Sequence, residues 1–400
     1  MGALPLPLNS PAQQELPVRQ PRHTRLLALL CIAAALVATG AETWRWSRSA
    51  LHRERPTLPV HTGAPITGVT ELSHSILPMP AGVPSAHASS LATLPGGGLV
   101  AFWWAGSRES GPDVKVYASR WADGKWSRYW EVASRESLGK ALGYGVRRIG
   151  NPVAWTALDG SLHLYVVATG LGGWAAARLV QMQSHDQGAT FTVKRVLPMS
   201  PLFNTSTLVR SAPLALADGS WWLPAYFEIG YKYPMLISFN AQGEPQRVTR
   251  IGTRTQSLQP SLVSMSPTEV RAWMRDDGKS RRVQQAVSRD GGQTWNDVEA
   301  TALFNDSTAL AVLRLSNGSL LMLHNREDID GSARSALTLS LSTDARTWRP
   351  LLDIVDGGAG DEFSYPAMSQ VGDELHISYT YQRRAIAHHQ FKINLQGETK

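Results

Sequence analysis

Cysteine is almost absent: Cys31 is the only one, so there is no intrachain disulfide framework and no cysteine-built zinc site. The P-loop, GxGxxG, GxSxG and HExxH patterns are missing too, which removes the common nucleotide, serine-hydrolase and zincin readings. After residue 60 no long amphipathic helical period occurs, so a parallel α/β fold would lack its covering helices. A sustained excess of one charge is also lacking. The net charge is +7, but residues 1–60 carry seven arginines and three glutamates, or +4 of it. The remainder is too thin for a nucleic-acid partner. His388 and His389 have no matching carboxylate or histidine spacing elsewhere, so neither a metal nor a cofactor is expected.

What the sequence does have is a short turn motif in three copies. Ser288–Trp295 reads SRDGGQTW, Ser184–Phe191 reads SHDQGATF, and Ser342–Trp348 is the shorter STDARTW. Serine and aspartate side chains bond nearby backbone N–H groups, glycine supplies a φ > 0 position, and the trailing aromatic folds back as an apolar plug. Such a unit is a self-contained hairpin turn. It speaks for architecture and not for catalysis.

A second repeat runs out of step with the first. Turn signals followed by strand-like runs occur at 95–104, 158–168, 217–227, 266–275, 315–325 and 371–381. Each reads as the second arm of a hairpin. Their number and their spacing, about 50 to 60 residues, predict an all-β, six-bladed β-propeller over residues 69–395 as one domain.

The N-terminus stands apart. Residues 1–24, rich in proline and polar groups, read as a disordered tail. The uncharged run Leu26–Ala41, preceded by Arg19, Arg22 and Arg25, reads as a signal peptide core or a signal-anchor helix spanning 25–43. Trp44 and Trp46 suit an interfacial belt and favour the anchor, with 44–68 as a linker. The expected location is the inner membrane, single-pass, with the propeller in the periplasm; the alternative is secretion after cleavage. Arginines flank both ends of the run, so the positive-inside rule does not fix its orientation.

SAHASSL (85–91), WWAGSRESGPDV (103–114), GNPVAW (150–155), LQPSLV (258–263), EFSYPAM (362–368) and YTYQRR (379–384) follow one another along the chain. In that order they resemble the sialidase superfamily, the neuraminidase-like propellers whose repeated turn is the Asp-box. Sialidases are similar to one another in clamping a substrate carboxylate with three arginines. They use a tyrosine nucleophile activated by a glutamate, and an aspartate as acid/base. Guanidinium forks suit a carboxylate, and a tyrosine avoids setting a second anion against it.

The resemblance implies Tyr365 as nucleophile with Glu362 as its base, although positions i and i+3 of a regular strand face opposite sides unless a bulge intervenes. It implies Arg275 as second clamp arginine and Arg383 as another. His87 stands where the first clamp arginine belongs, and is taken with Asp113 as an acid/base candidate. Arg108, Glu109 and Asp113 crowd the loop after LVAFWWAG, with Glu109 or Asp113 as general acid and Arg108 binding an anionic substituent. Asn151, Arg210, Gln259 and Asn325 resemble the channel-facing polar set; His324 alternates with Asn325, so only one of those two can face the channel.

Two functions follow as expectations. One is a sialidase-like exo-glycoside hydrolase acting on an acidic sugar of an envelope or exported polysaccharide. The other is a non-catalytic, membrane-tethered propeller that binds glycan or protein.

Overall fold

The computed structural model describes residues 22–51 (backbone only for 22 and 45–51), 57–199, 204, 206–327 and 333–396. The tail expected at 1–24 falls outside these residues as far as residue 21.

Six antiparallel sheets form the blades of a propeller, as the repeats predict. Blade one has Ser85–Thr93 innermost, followed outward by Leu99–Gly106 and Lys115–Ala122, with Lys125–Trp126 and Trp130–Ser134 outermost. Blade two starts at Arg148–Thr156, blade four at Ser257–Ser264, blade five at Ala311–Arg314 and blade six at Phe363–Val371. In blade three the innermost position is shared by Thr207–Val209 and Leu214–Ala215, which pair separately with Trp221–Phe227. The second strands are the apolar runs seen in the sequence. Leu99–Gly106 and Leu162–Thr169 are buried at every residue, because neighbouring blades cover both of their faces.

The ring is closed by a strand from the other end of the chain. Ile66–Ile76 pairs antiparallel with Ala385–Leu395 and becomes the outermost strand of blade six. Ahead of it, residues 57–65 run beneath blades three to six. Thr57 O accepts from Ala217 N, Pro59 O from Ser264 Oγ, Ala64 O from Asn317 Nδ2 and Pro65 O from Gln396 N. Leu58 is 1% exposed within the core shared by blades three and four.

The three repeated turns join the third and fourth strands of blades two, four and five. In each, the serine hydroxyl donates to the aspartate, and the aspartate accepts backbone N–H groups further along, as with Ser288, Asp290 and Thr294. Gly188 and Gly292 take φ values of 86° and 83°, and Ala345 takes 59° in the shortened copy. The plugs land on neighbouring blades, Phe191 edge-on to Phe102 and Trp348 edge-on to Trp273.

Four innermost strands share an irregularity near their first residues. Register shifts fall between His87 and Ser90, Ile149 and Pro152, Leu258 and Ser261, and Ser364 and Ala367. Ala88, Gln259 and Tyr365 sit in these bulges at φ of 59°, 53° and 53°, a region costing non-glycine residues about 1–3 kcal/mol. Bulges re-aim side chains, and these occur where the innermost strands enter the ring.

The N-terminal helix spans Arg22–Leu51. Its stretch His23–Trp44, 22 residues, is long and apolar enough to cross a membrane, as a signal sequence or an anchor would be. Thr39 and Thr43 turn their hydroxyls back onto Ala35 O and Thr39 O at 2.7 Å.

Candidate functional site

A cavity of about 670 Å³ opens at the end of the ring where the bulged strands begin. Its wall includes Tyr365, Gln259, Asn151, Tyr226, Trp174, Glu109 and Glu228, with three arginines, Arg275, Arg334 and Arg383.

Tyr365 reaches the cavity because its bulge turns it off the regular alternation of the strand. Gln259, from the matching bulge of blade four, donates long hydrogen bonds to the hydroxyls of Tyr365 (3.3 Å) and Tyr226 (3.4 Å). Both phenol protons are therefore left for other acceptors. Burial pushes the Tyr226 hydroxyl far up, so this phenol stays neutral.

Glu362 does not bond Tyr365. Its carboxylate accepts from Arg334 (3.0 Å), Arg383 (2.7 Å) and Ser364 (2.8 Å). Burial would raise its pKa, but the bonds from Arg383 and Ser364 and the two guanidinium charges outweigh burial and hold it below the usual value. Arg383 also donates to Glu109, which crosses from the blade-one loop at 2.5 Å. Arg275 is the arginine in the wall with no carboxylate partner among the described residues. It donates to Ser307 Oγ (3.1 and 2.8 Å), which donates to Asp277, itself paired with Lys232.

Glu228 and Arg334 are the charged wall residues that the sequence reading missed, as it missed Tyr226 and Trp174. Glu228 follows the blade-three strand Trp221–Phe227 directly and forms no hydrogen bond among the described residues. Burial raises its pKa, opposed by Lys232 and Arg275. One more residue of the 217–227 run would have drawn attention to it, whereas Arg334 has no local signal at all.

Other expected residues stand elsewhere. His87 is 1% exposed, its ring tilted at 48° to that of Tyr365 with the centroids 4.1 Å apart, and neither ring nitrogen has a partner among the described residues. Burial, then the charges of Arg383, Arg210 and Arg334, hold it well below 6.5, so it is a neutral floor beneath the tyrosine. Arg210 lies in the break of blade three's innermost strand, donating to Ser89 O and Pro366 O rather than lining the cavity. Asp113 closes its own loop on Ser107 N and Oγ (2.8 and 2.7 Å). The Ser107 bond lowers its pKa, which suits a loop clasp better than an acid. Arg108 is exposed on the same loop and outside the wall. Asn325 is fully buried and donates to Ala336 O and Phe363 O, tying blade five to blade six. His324 bonds Ser340 within its own blade.

Comparison with known proteins agrees with the fold. The family described as BNR repeat-like domain matches residues 97–377. No curated protein matches the chain. Among solved structures, a protein of unknown function from Dyadobacter fermentans DSM 18053 is 16% identical with a TM-score of 0.67, covering 82% of this chain and 100% of its own. The Hadza microbial sialidase Hz136 is 17% identical with a TM-score of 0.64, covering 77% of this chain and 66% of its own. A Trypanosoma rangeli sialidase bound to the inhibitor DANA is 13% identical with a TM-score of 0.59, covering 83% and 60%. The chain thus spans under two thirds of either sialidase, and at these identities the likeness is one of fold.

Proposed function

The chain belongs to the BNR repeat-like domain family, and from that premise we propose that it is a sialidase-like exo-glycoside hydrolase acting on an acidic sugar of an envelope or exported polysaccharide. The observation that carries this reading is the convergence of Arg275, Arg334, Arg383 and Tyr365 on one cavity beside an unbonded, elevated carboxyl, Glu228. In this proposal the helix Arg22–Leu51 anchors the protein in the inner membrane with the propeller in the periplasm, or is cleaved on secretion.

The sugar carboxylate is gripped by Arg275, and then by Arg334 and Arg383. Because Glu109 already occupies Arg383, the incoming carboxylate competes with it, and the released Glu109 takes up a proton from solvent next to the leaving oxygen. The Tyr365 oxygen attacks the anomeric carbon while its proton passes to Glu228. The glycosidic bond breaks, and its oxygen takes a proton from Glu109. Water then displaces Tyr365 from the sugar, giving one proton back to Glu109, and the phenol recovers its own from Glu228. Glu362 acts on the arginines, holding Arg334 and Arg383 in place, instead of acting on the tyrosine.

A second reading is a non-catalytic glycan-binding propeller. It is favoured by one observation: among the described residues no carboxylate is hydrogen-bonded to Tyr365, whose partner is Gln259. Turnover of fluorogenic sialosides and uronosides by the detergent-solubilised chain separates the two. Hydrolysis lost in Tyr365→Phe supports the enzyme. No turnover of any acidic glycoside, together with measurable binding that Arg275→Ala removes, establishes the binding protein.

A further inference from the structure

Between blades one and two the chain makes an insertion that the cavity does not use. Ser134 caps the helix Arg135–Leu142, with its hydroxyl accepting from Ser137 N and Ser137 Oγ completing the capping box. Gly143 ends the helix at φ 75° and donates to Gly139 O. The chain then turns back over the helix. A Cβ on Gly139 would stand 3.2 Å from Tyr144 O, so glycine there lets the loop lie close.

This arrangement leaves a cleft of about 470 Å³ between helix and loop, lined by Arg135, Glu136, Gly139, Lys140, Tyr144 and Gly145 among others. Tyr144 is 41% exposed, and the Arg178 guanidinium lies 6.0 Å from its ring centroid. Arg135 is committed to Glu136 at 2.5 Å. Lys140 and Arg178 have no carboxylate partner among the described residues, and neither do exposed Arg147 and Arg148 on the strand leading away. In the cleft Glu136 thus stands with Lys140, and Arg178 lies beside the exposed aromatic ring, neither cation having a carboxylate partner among the described residues. An aromatic face packs on the C–H face of a sugar, and unpaired cations attract its carboxylate.

Topology ties this cleft to the main cavity. Tyr144 and the cavity residue Asn151 are seven residues apart along a chain that spans at most about 3.5 Å per residue, so the two sites lie within roughly 25 Å. Trp174 and Ala175, also in the cavity wall, precede Arg178 in the same blade.

We propose that the cleft between Arg135–Leu142 and the Gly143–Val146 loop is a second carbohydrate site. It takes an acidic sugar unit further along the same polysaccharide whose terminal unit enters the arginine cavity. The proposal rests on the acidic-glycan reading above and narrows it to polyanionic chains, held at two points.

The test is equilibrium binding to the full chain in detergent micelles. The probes are an α2,8-linked sialic acid hexamer, a hexagalacturonate, the two matching monosaccharides and neutral cellohexaose. At least one acidic hexamer is expected to bind more tightly than its monomer and than cellohexaose. The exposed pair Lys140→Glu and Arg178→Glu should weaken that hexamer about tenfold while the monomer affinity stays unchanged. Equal affinity for hexamer and monomer, or a hexamer affinity unmoved by the paired substitution, overturns the cleft. Arg275→Ala keeps the two readings apart. If the chain hydrolyses nothing, the enzyme reading falls, but hexamer binding that survives Arg275→Ala and is lost in the cleft variant still upholds the second site.

Discussion

The Arg210 guanidinium lies 5.0 Å from the ring centroid of Tyr365, on a residue 4% exposed and without any acidic partner among the described residues. Burial presses its pKa down to about 10, yet it remains charged and ties blade three to blades one and six through Ser89 O and Pro366 O. Arg210→Met should fill the space and leave those carbonyls unbonded, costing about 2 kcal/mol. Denaturant titration would read this as a lower midpoint. An unchanged midpoint would mean that the buried charge costs as much as its bonds return.

The Asp-box carboxylates make a pH prediction. Bonds from Thr190 and Ser184 hold Asp186 down to about 2, and Thr347 and the Arg346 N–H hold Asp344 lower still. Asp290 is also lowered, its bonds from Thr294, Ser288 and Gln293 outweighing burial. Depressed folded pKa values give stability that is complete above the unfolded value of about 3.9 and is lost as pH falls through the folded one. The melting temperature should therefore hold down to about pH 4 and drop from there towards about pH 2. Asp186→Asn and Asp344→Asn should flatten that drop and leave sugar binding intact.

These boxes were legible in the sequence because all their bonds close within five residues. The second strands were legible because each follows its own turn signal. Glu228 was not, since a lone glutamate after WWLPAYF differs from a loop residue only once Lys232, Arg275 and Asp277 are folded around it. Glu362 looked like a partner for Tyr365 by proximity in sequence. In the fold it faces Arg334, 28 residues away, and Arg383, 21 away. The strand Ile66–Ile76 bonds across more than 300 positions, as in Glu71 to His389 (318 apart), a separation no local pattern carries.

Glu228 and Glu362 are separable by kinetics. Glu228→Gln should lower kcat about 10²-fold or more with KM little changed. Glu362→Gln leaves Arg334 and Arg383 without the carboxylate that holds them in place, so KM for an anionic sugar should rise while the melting temperature falls. Equal losses in both variants would remove the distinction. Burial raises Glu228 and the Lys232 charge lowers it, so Lys232→Met should move the acid limb of kcat/KM to higher pH. Releasing Asp277 from its ion pair works in the same direction, because that carboxylate also raises Glu228.

The closure of the ring gives the last prediction. Leu58 is 1% exposed and packs in a core with Leu216, Trp222 and Ile251, while its neighbours Thr57 and Pro59 bond blades three and four. Leu58→Ala should cost about 2–5 kcal/mol, as large-to-small changes in a core do. Removing residues 57–76 altogether goes further. It strips the outer strand from blade six and exposes the edge of Ala385–Leu395, whose buried residues Ile386, Phe391 and Ile393 belong to the cores on its two faces. An uncovered edge of that length pairs with other chains. The truncated protein should therefore aggregate on sizing while Leu58→Ala stays monodisperse and only melts earlier. A monodisperse truncation with the original melting temperature would show that the outer strand is dispensable for closing the propeller.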